Sequence, residues 1–319
     1  MIWKHLFLKQ KTNIKTMNIK IISDQKDYLV INKPSGLIAH GGRGIKEKTL
    51  SDWLVENYPE IAKVGDDPER PGIVHRLDKE ASGLMLIPKT NEAFEFFKNQ
   101  FKNRKIKKEY LALVCGKINK ESGIIDFPIK RSAQGFKMAA IPSPKNENEL
   151  ELLRSGRGEY ANYLEEYNKI NKEPNEENKT ETKIEGVKTE EESIETERKT
   201  EEQKINNRAK GGLKALEKSR QAITEFQIVK KFINFTLIRA IIKTGRTHQI
   251  RVHFFAYGYP LLGDNLYSNK KSKIQNQKIK PDRIFLIADT LGFEDLNGEW
   301  QEFKIEMDEN LEGILGRVK

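Results

Sequence analysis

The sequence predicts an α+β protein with a largely antiparallel mixed central sheet and flanking helices. Short runs rich in β-branched and aromatic residues outnumber the helical patterns, and two of these runs lie close enough together to form a hairpin. Strands and helices do not alternate regularly, which argues against a doubly wound parallel sheet. A long charged segment separates the two regions in which the strands are expected.

The first region begins with a strand that leads into a loop. Residues 28–32 are β-rich, and the turn signal Pro34-Ser35-Gly36 follows them. Thr90 is a suitable N-cap for a helix, because apolar residues recur after it at spacings of three and four. Residues 110–115 predict a strand, and core packing is the expected role of Cys115 on it.

The second region predicts a hairpin and a short helix. The hairpin consists of residues 222–229 and 232–242, joined by a polar turn at Lys230-Lys231. A helix over residues 247–257 has Thr247 as its N-cap, and Gly258 follows it as the residue that ends it. We expect both regions to contribute strands to one sheet.

Charge and composition divide the chain into four segments. We expect a basic N-terminal extension (1–16), the first half of a catalytic domain (17–142), a charged low-complexity insertion (143–212) and the second half (213–319). Residues 143–210 contain 18 glutamates against 13 lysines and arginines, a composition typical of disorder or a solvated helix. Whether translation starts at Met1 or Met17 stays open.

The composition of the whole chain favours a soluble cytoplasmic protein that meets phosphate. The chain has 319 residues, a formal charge of +10 and one cysteine, so an internal disulfide and a multi-cysteine zinc site are excluded. No apolar stretch is long enough to cross a bilayer. Outside residues 143–210 the charge rises to +15, which is typical of proteins that bind nucleic acid.

Two polar clusters interrupt the structural pattern, at residues 72–83 and 244–253. Glycines and charged side chains concentrated in loops beside strands are common in functional sites. Arg251, in the second cluster, is placed to keep a carboxylate of the first cluster ionised, and Asp78 is the natural candidate. From spacing alone, Asp78 as a turn former and Arg251 as a surface arginine remain alternatives.

A metal site is a further alternative, because three of the five histidines fall in these clusters. They are His75, His248 and His253, with Asp78 as a possible co-ligand. No HExxH pattern or other tight pair of ligands occurs, so the metal reading is the weaker one.

Five segments resemble motifs of the RluA-type pseudouridine synthases. HRLD (75–78) followed by Ser82-Gly83 is similar to the catalytic-aspartate motif of that family, and GRTHQIRVH (245–253) is similar to its arginine motif. The supporting segments are VINKPSGL (30–37), KEYLALV (108–114) and GDNLY (263–267). The five segments occur in the same order as in the family, over about residues 18–141 and 214–305, which makes the combination specific. The resemblance implies the pseudouridine synthase fold.

The resemblance implies an enzyme that isomerises specific uridines to pseudouridine in structured RNA. Asp78 would be the catalytic carboxylate, Arg251 its basic partner, and Tyr110 would lie against the uracil ring. The target nucleotide would be flipped out, with Arg76 helping to fill the vacated stack. A carboxylate suits this chemistry as a nucleophile at the sugar or as a base for the C2′ proton, and both routes stay open.

The implied partner is RNA, with ribosomal RNA favoured and transfer RNA as the rival. No cofactor, metal, membrane or obligate protein partner is implied. Further candidates for substrate and RNA binding are His75, Lys33, Lys79, Arg246, His248 and Gln249. Phosphate contacts are expected from Lys33, Lys79, Arg104, Lys105, Lys107, Lys108 and Arg246. A non-catalytic RNA-binding or ribosome-assembly protein that retains the fold is the alternative from another class.

Overall fold

The computed structural model describes residues 18–42, 44–132, 135, 137–141 and 219–318. The predicted N-terminal extension (1–16) and the predicted insertion (143–212) lie outside these residues. Within the described part, the chain forms a nine-stranded sheet, a separate two-stranded sheet and five α-helices.

The described part of the chain contains eleven strands, five α-helices and one 3₁₀ turn. The strands are β1 (Lys20–Asp24), β2 (Tyr28–Lys33), β3 (Ser82–Pro88), β4 (Lys107–Cys115), β5 (Ser122–Ile125), β6 (Ile129–Arg131), β7 (Met138–Ala140), β8 (Thr224–Lys231), β9 (Phe235–Ile242), β10 (Leu286–Glu294) and β11 (Trp300–Lys304). The helices are α1 (Leu50–Asn57), α2 (Asn91–Lys102), α3 (Gln249–Ala256), α4 (Lys270–Ile279) and α5 (Glu309–Gly316), with a 3₁₀ turn at Pro59–Lys63.

The large sheet combines strands from both sides of residues 142–218. Its order is β1-β2-β3-β10-β4-β9-β8-β5, with β11 also paired to β10. Only the short pairing of β3 with β10 is parallel among the described strands, so the predicted largely antiparallel mixed sheet is confirmed. The first sequence cluster leads into β3 and the second follows β9, and these two strands belong to one sheet with β10 and β4 between them.

The two faces of the sheet bury different apolar clusters. Alternate residues of β4 point to opposite faces, so Tyr110 and Ala112 join the larger cluster with side chains of α1 and α3. Leu113 and Cys115 face the other side, where α5 packs. The predicted core position of Cys115 is therefore confirmed. Tyr110 stands on the face that α3 covers, which is the face that carries the candidate site.

The helix starts mostly follow local capping chemistry. Thr90 caps α2 as predicted, because its hydroxyl accepts a hydrogen bond from the N–H of Ala93 at 3.1 Å. The prediction for α3 is wrong at its start: the helix begins at Gln249, after His248 with φ +55°, and Thr247 does not cap it. His248, in a left-handed conformation, takes the N-cap position instead, and no side chain caps the helix there.

The predicted hairpin is present, but its turn lies further along the chain. β8 continues through Lys231, and β9 begins at Phe235. A bulge between Ile228 and Lys230 absorbs an extra residue, so the two lysines expected in the turn are part of the strand.

The described part of the chain contains no helix with the length and apolarity that a membrane crossing requires.

The close approach of β3 and β10 depends on Gly83. Its φ is +124°, and a Cβ at this position would lie 2.3 Å from the carbonyl oxygen of Ala288. We expect Gly83→Ala to lower the free energy of unfolding by about 3 kcal/mol, because backbone must move to admit the methyl group. Gly313→Ala in α5 is the control, since nothing lies within 4 Å of that position and alanine is the better helix former. Urea unfolding measures both, and equal stabilities would contradict the close approach.

Candidate active site

A pocket on the Tyr110 face joins the two sequence clusters. One wall is formed by residues 76–78 and Ala81, and the other by residues 245–250. Tyr110, Ile242 and Leu286 complete the lining with side chains from the sheet. The pocket therefore presents an apolar, aromatic surface with a carboxylate, Asp78, beside it.

Arg251 is the buried charged group at the centre of the site. Its Nε and Nη2 donate to the two carboxylate oxygens of Asp264 at 2.8 and 3.0 Å. Its Nη1 lies 3.1 Å from Glu80 and 3.6 Å from Asp78. The predicted proximity of Arg251 to Asp78 is thus present, but the main partner of the guanidinium is Asp264.

The electrostatics of Arg251 favour a permanent positive charge. Burial by itself lowers the pKa of Arg251, but the hydrogen bonds that Arg251 donates to Asp264 and the charges of Asp264, Asp78 and Glu80 raise it overall. Asp264 is fully buried, and its Oδ1 also accepts the N–H groups of Leu266 and Tyr267 at 2.9 Å. Asp264 is therefore held from both sides and keeps the guanidinium in one orientation.

The sequence predicted that Lys33 contacts phosphate. In the structure it is buried beneath the loop that carries Asp78. Its ammonium donates to the carbonyl oxygens of Pro34 and Leu37 at 2.9 Å and of Lys79 at 3.4 Å. Burial lowers the pKa of Lys33 to about 7, although the negative charge of Asp78 acts to raise it. With no exposed surface, Lys33 does not fit the predicted phosphate contact. It instead ties the loop of residues 34–37 to the residue after Asp78.

Tyr110 presents a neutral phenol to the pocket. It is buried on β4 between Ala240 of β9 and Ala288 of β10, and it is one of the residues that line the pocket. Burial, with a smaller contribution from the charge of Asp78, raises the pKa of Tyr110 well above its usual value. The phenol therefore keeps its proton at neutral pH.

A chain of hydrogen bonds orients the ring of His248. The hydroxyl of Tyr267 accepts the N–H of Met138 at 2.8 Å and lies 2.9 Å from Nδ1 of His248. Burial is the main cause that lowers the pKa of His248 and raises that of Tyr267. Nε2 of His248 has no hydrogen-bond partner in the described part of the chain, so it is available to a ligand in the pocket.

Gln249 organises the loop that forms the second wall. Its Oε1 accepts from the Thr244 hydroxyl and from the Arg246 N–H at 2.7 and 3.0 Å. Its amide nitrogen donates to Ile223 and Thr224 at the start of β8. The side chain is buried, so its hydrogen bonds join the loop to the sheet edge.

Two of the three clustered histidines have partners away from the pocket. Nε2 of His75 accepts the Leu86 N–H at 2.9 Å, and burial lowers the pKa of His75 to about 3. His253 is buried between Thr224 and Phe127, and burial lowers its pKa to about 4. Among the described residues, no cluster of three or more histidine, cysteine or acidic side chains has the arrangement of a metal site.

Arg76 and Lys79 lie on the exposed side of the Asp78 loop. Nη1 of Arg76 lies 2.7 Å from Nε2 of His40, whose Nδ1 faces the Gly41 carbonyl. Since a carbonyl only accepts, Nδ1 carries the proton and Nε2 accepts from Arg76. Lys79 pairs with Glu47 at 2.7 Å in solvent.

Positive charge is concentrated at one rim of the pocket. Arg246 donates to the Gln221 carbonyl, and its pKa is lowered by burial and by the neighbouring Arg220 and Arg104. Burial lowers the pKa of Lys108 to about 8, and its ammonium lies over the Phe101 ring. Of the other predicted phosphate contacts, Lys105 is exposed and Lys107 pairs with Glu109 and Glu302.

Sequence reasoning missed three residues that hold this site together. Asp264 and Tyr267 were recognised only as part of a supporting segment, and His40 was not considered. The segment itself was the available signal, because Gly263 with φ +79° lies against the backbone of Arg283 and turns the chain under Arg251.

Comparisons with known proteins agree on one family. A family model described as RNA pseudouridylate synthase matches residues 27–256. An uncharacterised RNA pseudouridine synthase from Aquifex aeolicus is 30% identical over 93% of this chain and 72% of its own length. The ribosomal large subunit pseudouridine synthase D of Nitrosomonas europaea is 28% identical over 81% of this chain and 52% of its own length.

The solved structures give the same fold. The human RNA pseudouridylate synthase domain containing 4 has a TM-score of 0.59 with 18% identity, over 94% of both chains. Its counterpart, domain containing 1, has a TM-score of 0.57 with 19% identity, over 95% of this chain and 88% of that one.

The partners of Arg251 allow a matched test of the buried ion pair. We expect Asp264→Asn to lower the free energy of unfolding by about 3–5 kcal/mol, because the guanidinium would lose its buried counter-ion. Glu80→Gln, which changes a half-exposed partner of the same guanidinium, should cost less than about 1 kcal/mol. Urea unfolding measures both changes, and equal losses would show that Asp264 is not the anchor.

Proposed function

Because the chain belongs to the RNA pseudouridylate synthase family, whose members convert uridine to pseudouridine in RNA, we propose that Asp78 is its catalytic carboxylate. The observation that carries the proposal is the position of Asp78 in the pocket, with its Oδ2 3.6 Å from Nη1 of the buried Arg251 and Tyr110 in the same lining. The pocket then takes one uridine turned out of the RNA.

The reaction balances without an oxidant or a second substrate. The N1–C1′ bond breaks, and its electron pair leaves with N1 of the uracil. The ring turns, C5 forms a bond to C1′, C5 loses its proton and N1 gains one. The product is an isomer of the substrate, so the site has only to activate the sugar, hold the free ring and move one proton.

Asp78 has two possible actions in this sequence. As a nucleophile it forms an ester at C1′ when the glycosidic bond breaks, and the attack of C5 on C1′ releases it again. As a base it removes the C2′ proton, which it returns after C5 is joined to the sugar. At 3.6 Å from Nη1 of Arg251 the carboxylate is beyond a tight hydrogen bond, so it is free to act in either way.

Tyr110 and His248 are proposed to hold the uracil ring. The neutral phenol of Tyr110 offers a face for stacking, and it takes the C5 proton only if its own proton leaves in the same step. Nε2 of His248 suits a polar atom of the uracil ring, and it donates to a carbonyl oxygen when Tyr267 donates to Nδ1.

Access to the pocket requires base flipping, because the reacting atoms of a uridine in structured RNA are covered by stacking. Unstacking costs a few kcal/mol. Arg76 borders the pocket and is exposed, so its guanidinium is available to fill the vacated stack after leaving His40. Arg246 and its basic neighbours at the rim suit the flanking phosphates.

Ribosomal RNA is the favoured substrate. The support is the name of several relatives, ribosomal large subunit pseudouridine synthase D, from three different bacteria. Pseudouridine mapping of total RNA from cells that lack the protein, with wild-type and Asp78→Ala rescue, identifies the target. Loss of discrete sites in ribosomal RNA, restored only by wild type, is the expected result. Loss confined to transfer RNA would move the proposal to that substrate.

The proposed roles predict separable effects on turnover and RNA binding. Asp78→Asn should lower tritium release from [5-³H]uridine-labelled RNA by about 10²–10⁴-fold or more, with RNA affinity unchanged. Tyr110→Phe should also lower it, because the hydroxyl is lost while the ring remains. Asp66→Asn, an exposed aspartate paired with Lys98, is the matched control and should match wild type.

Full activity of Asp78→Asn would contradict the assigned role. RNA binding by a wild-type protein that modifies no RNA would favour the alternative, a non-catalytic RNA-binding or assembly protein.

A further inference from the structure

We propose that helix α4 (Lys270–Ile279) is a second RNA contact, which binds phosphates of the substrate outside the pocket. The proposal rests on RNA as the substrate of the proposed function, but not on the role of Asp78. It concerns lysines that neither the motifs nor the pocket includes. They are Lys270, Lys271, Lys273, Lys278 and Lys280, the last of which ends the helix.

The lysines of α4 share one exposed face. Ser272 and Gln275 are the buried residues of the helix. A helical turn of 3.6 residues places Lys270 and Lys273 on the opposite side, with Lys271 and Lys278 at its flank. All five side chains are exposed, and in the described part of the chain none of their ammonium groups has a hydrogen bond or an ion pair.

Nearby acids do not compensate this charge. The helix contains no acidic residue. Asp308 pairs with Arg283 at 2.7 Å. Asp282 accepts a hydrogen bond from Asn310, and among the described residues it forms no ion pair with a lysine of the helix. The positive face of α4 is therefore open to a polyanion.

Folding does not account for lysines at these positions. Lys270, Lys271 and Lys273 lie in the first turn, where the helix dipole disfavours positive charge. Lys270 and Lys273 are also three residues apart, a spacing at which like charges destabilise a helix. The start of the helix is instead secured by Asn269 and Ser272, which form a capping box. Bound phosphates would remove both penalties.

The position of α4 relative to the site suits one continuous RNA. Oδ1 of Asn276 accepts the N–H of Gly263 at 3.0 Å, so the helix is fixed to the residue before Asp264. The side chain of Lys271 lies beside Gly116, directly after β4. Gly116 is six residues from Tyr110 along the chain, about 20 Å on an extended strand. The Lys271 end of α4 is therefore within the reach of an RNA stem that inserts a nucleotide at Tyr110, while Ile279 at the other end packs on the α5 side of the sheet.

The test compares two variants with the same change in net charge. Lys270→Gln/Lys271→Gln/Lys273→Gln removes three charges from α4, and Lys20→Gln/Lys26→Gln/Lys63→Gln removes three exposed charges elsewhere. Glutamine is a good helix former, so α4 is retained. The probe is a large-subunit ribosomal RNA transcript labelled with [5-³H]uridine. Its affinity is measured as a function of salt, and tritium release is measured at saturating RNA.

We expect the α4 variant to bind this RNA about tenfold more weakly at moderate salt, with a plot of log affinity against log salt that is shallower by about 3. Turnover at saturating RNA should equal that of wild type, and the control variant should change little. Equal losses in the two variants, or no loss in either, would overturn the proposal. Binding reports on α4 and tritium release reports on the proposed activity, so a failure of one is distinguishable from a failure of the other.

Discussion

The site depends on a guanidinium that is buried before any RNA arrives. Arg251 is held by the two carboxylate oxygens of Asp264, which is itself held by two backbone N–H groups. Removing such a charge from water is costly, and the bidentate geometry with its additional hydrogen bonds offsets that cost. Arg251 therefore keeps one position, and Asp78 remains near a fixed positive charge without being bound tightly by it.

Other side chains around the pocket are also held in place by hydrogen bonds within the protein. Lys33 links two loops from beneath, Gln249 joins the second wall to β8, and Tyr267 orients His248. Hydrogen bonds made inside the protein fix these groups in advance, so little reorganisation is required when a nucleotide enters. By contrast Arg76 and the lysines of α4 are exposed, as groups that meet a mobile polyanion must be.

Local patterns predicted the sheet class, the start of α2 and the meeting of Asp78 with Arg251, because alternation, capping and shared motifs are short-range signals. They failed at the start of α3, where His248 with φ +55° takes the N-cap position that Thr247 was expected to fill. They also failed for Lys33, since a lysine on a strand carries no sequence mark of burial. Asp264 was missed as the partner of Arg251 because their contact depends on a turn at Gly263, 12 residues beyond the arginine.

The most direct measurement is a structure of this protein with an RNA that carries 5-fluorouridine at a mapped target position, where fluorine replaces the C5 proton that the reaction must remove. The account predicts that the base leaves the RNA stack and lies against Tyr110, with C1′ or C2′ about 3–3.5 Å from the Asp78 carboxylate or bonded to it. A target base that stays stacked in the RNA, or a sugar bound away from Asp78, would contradict it.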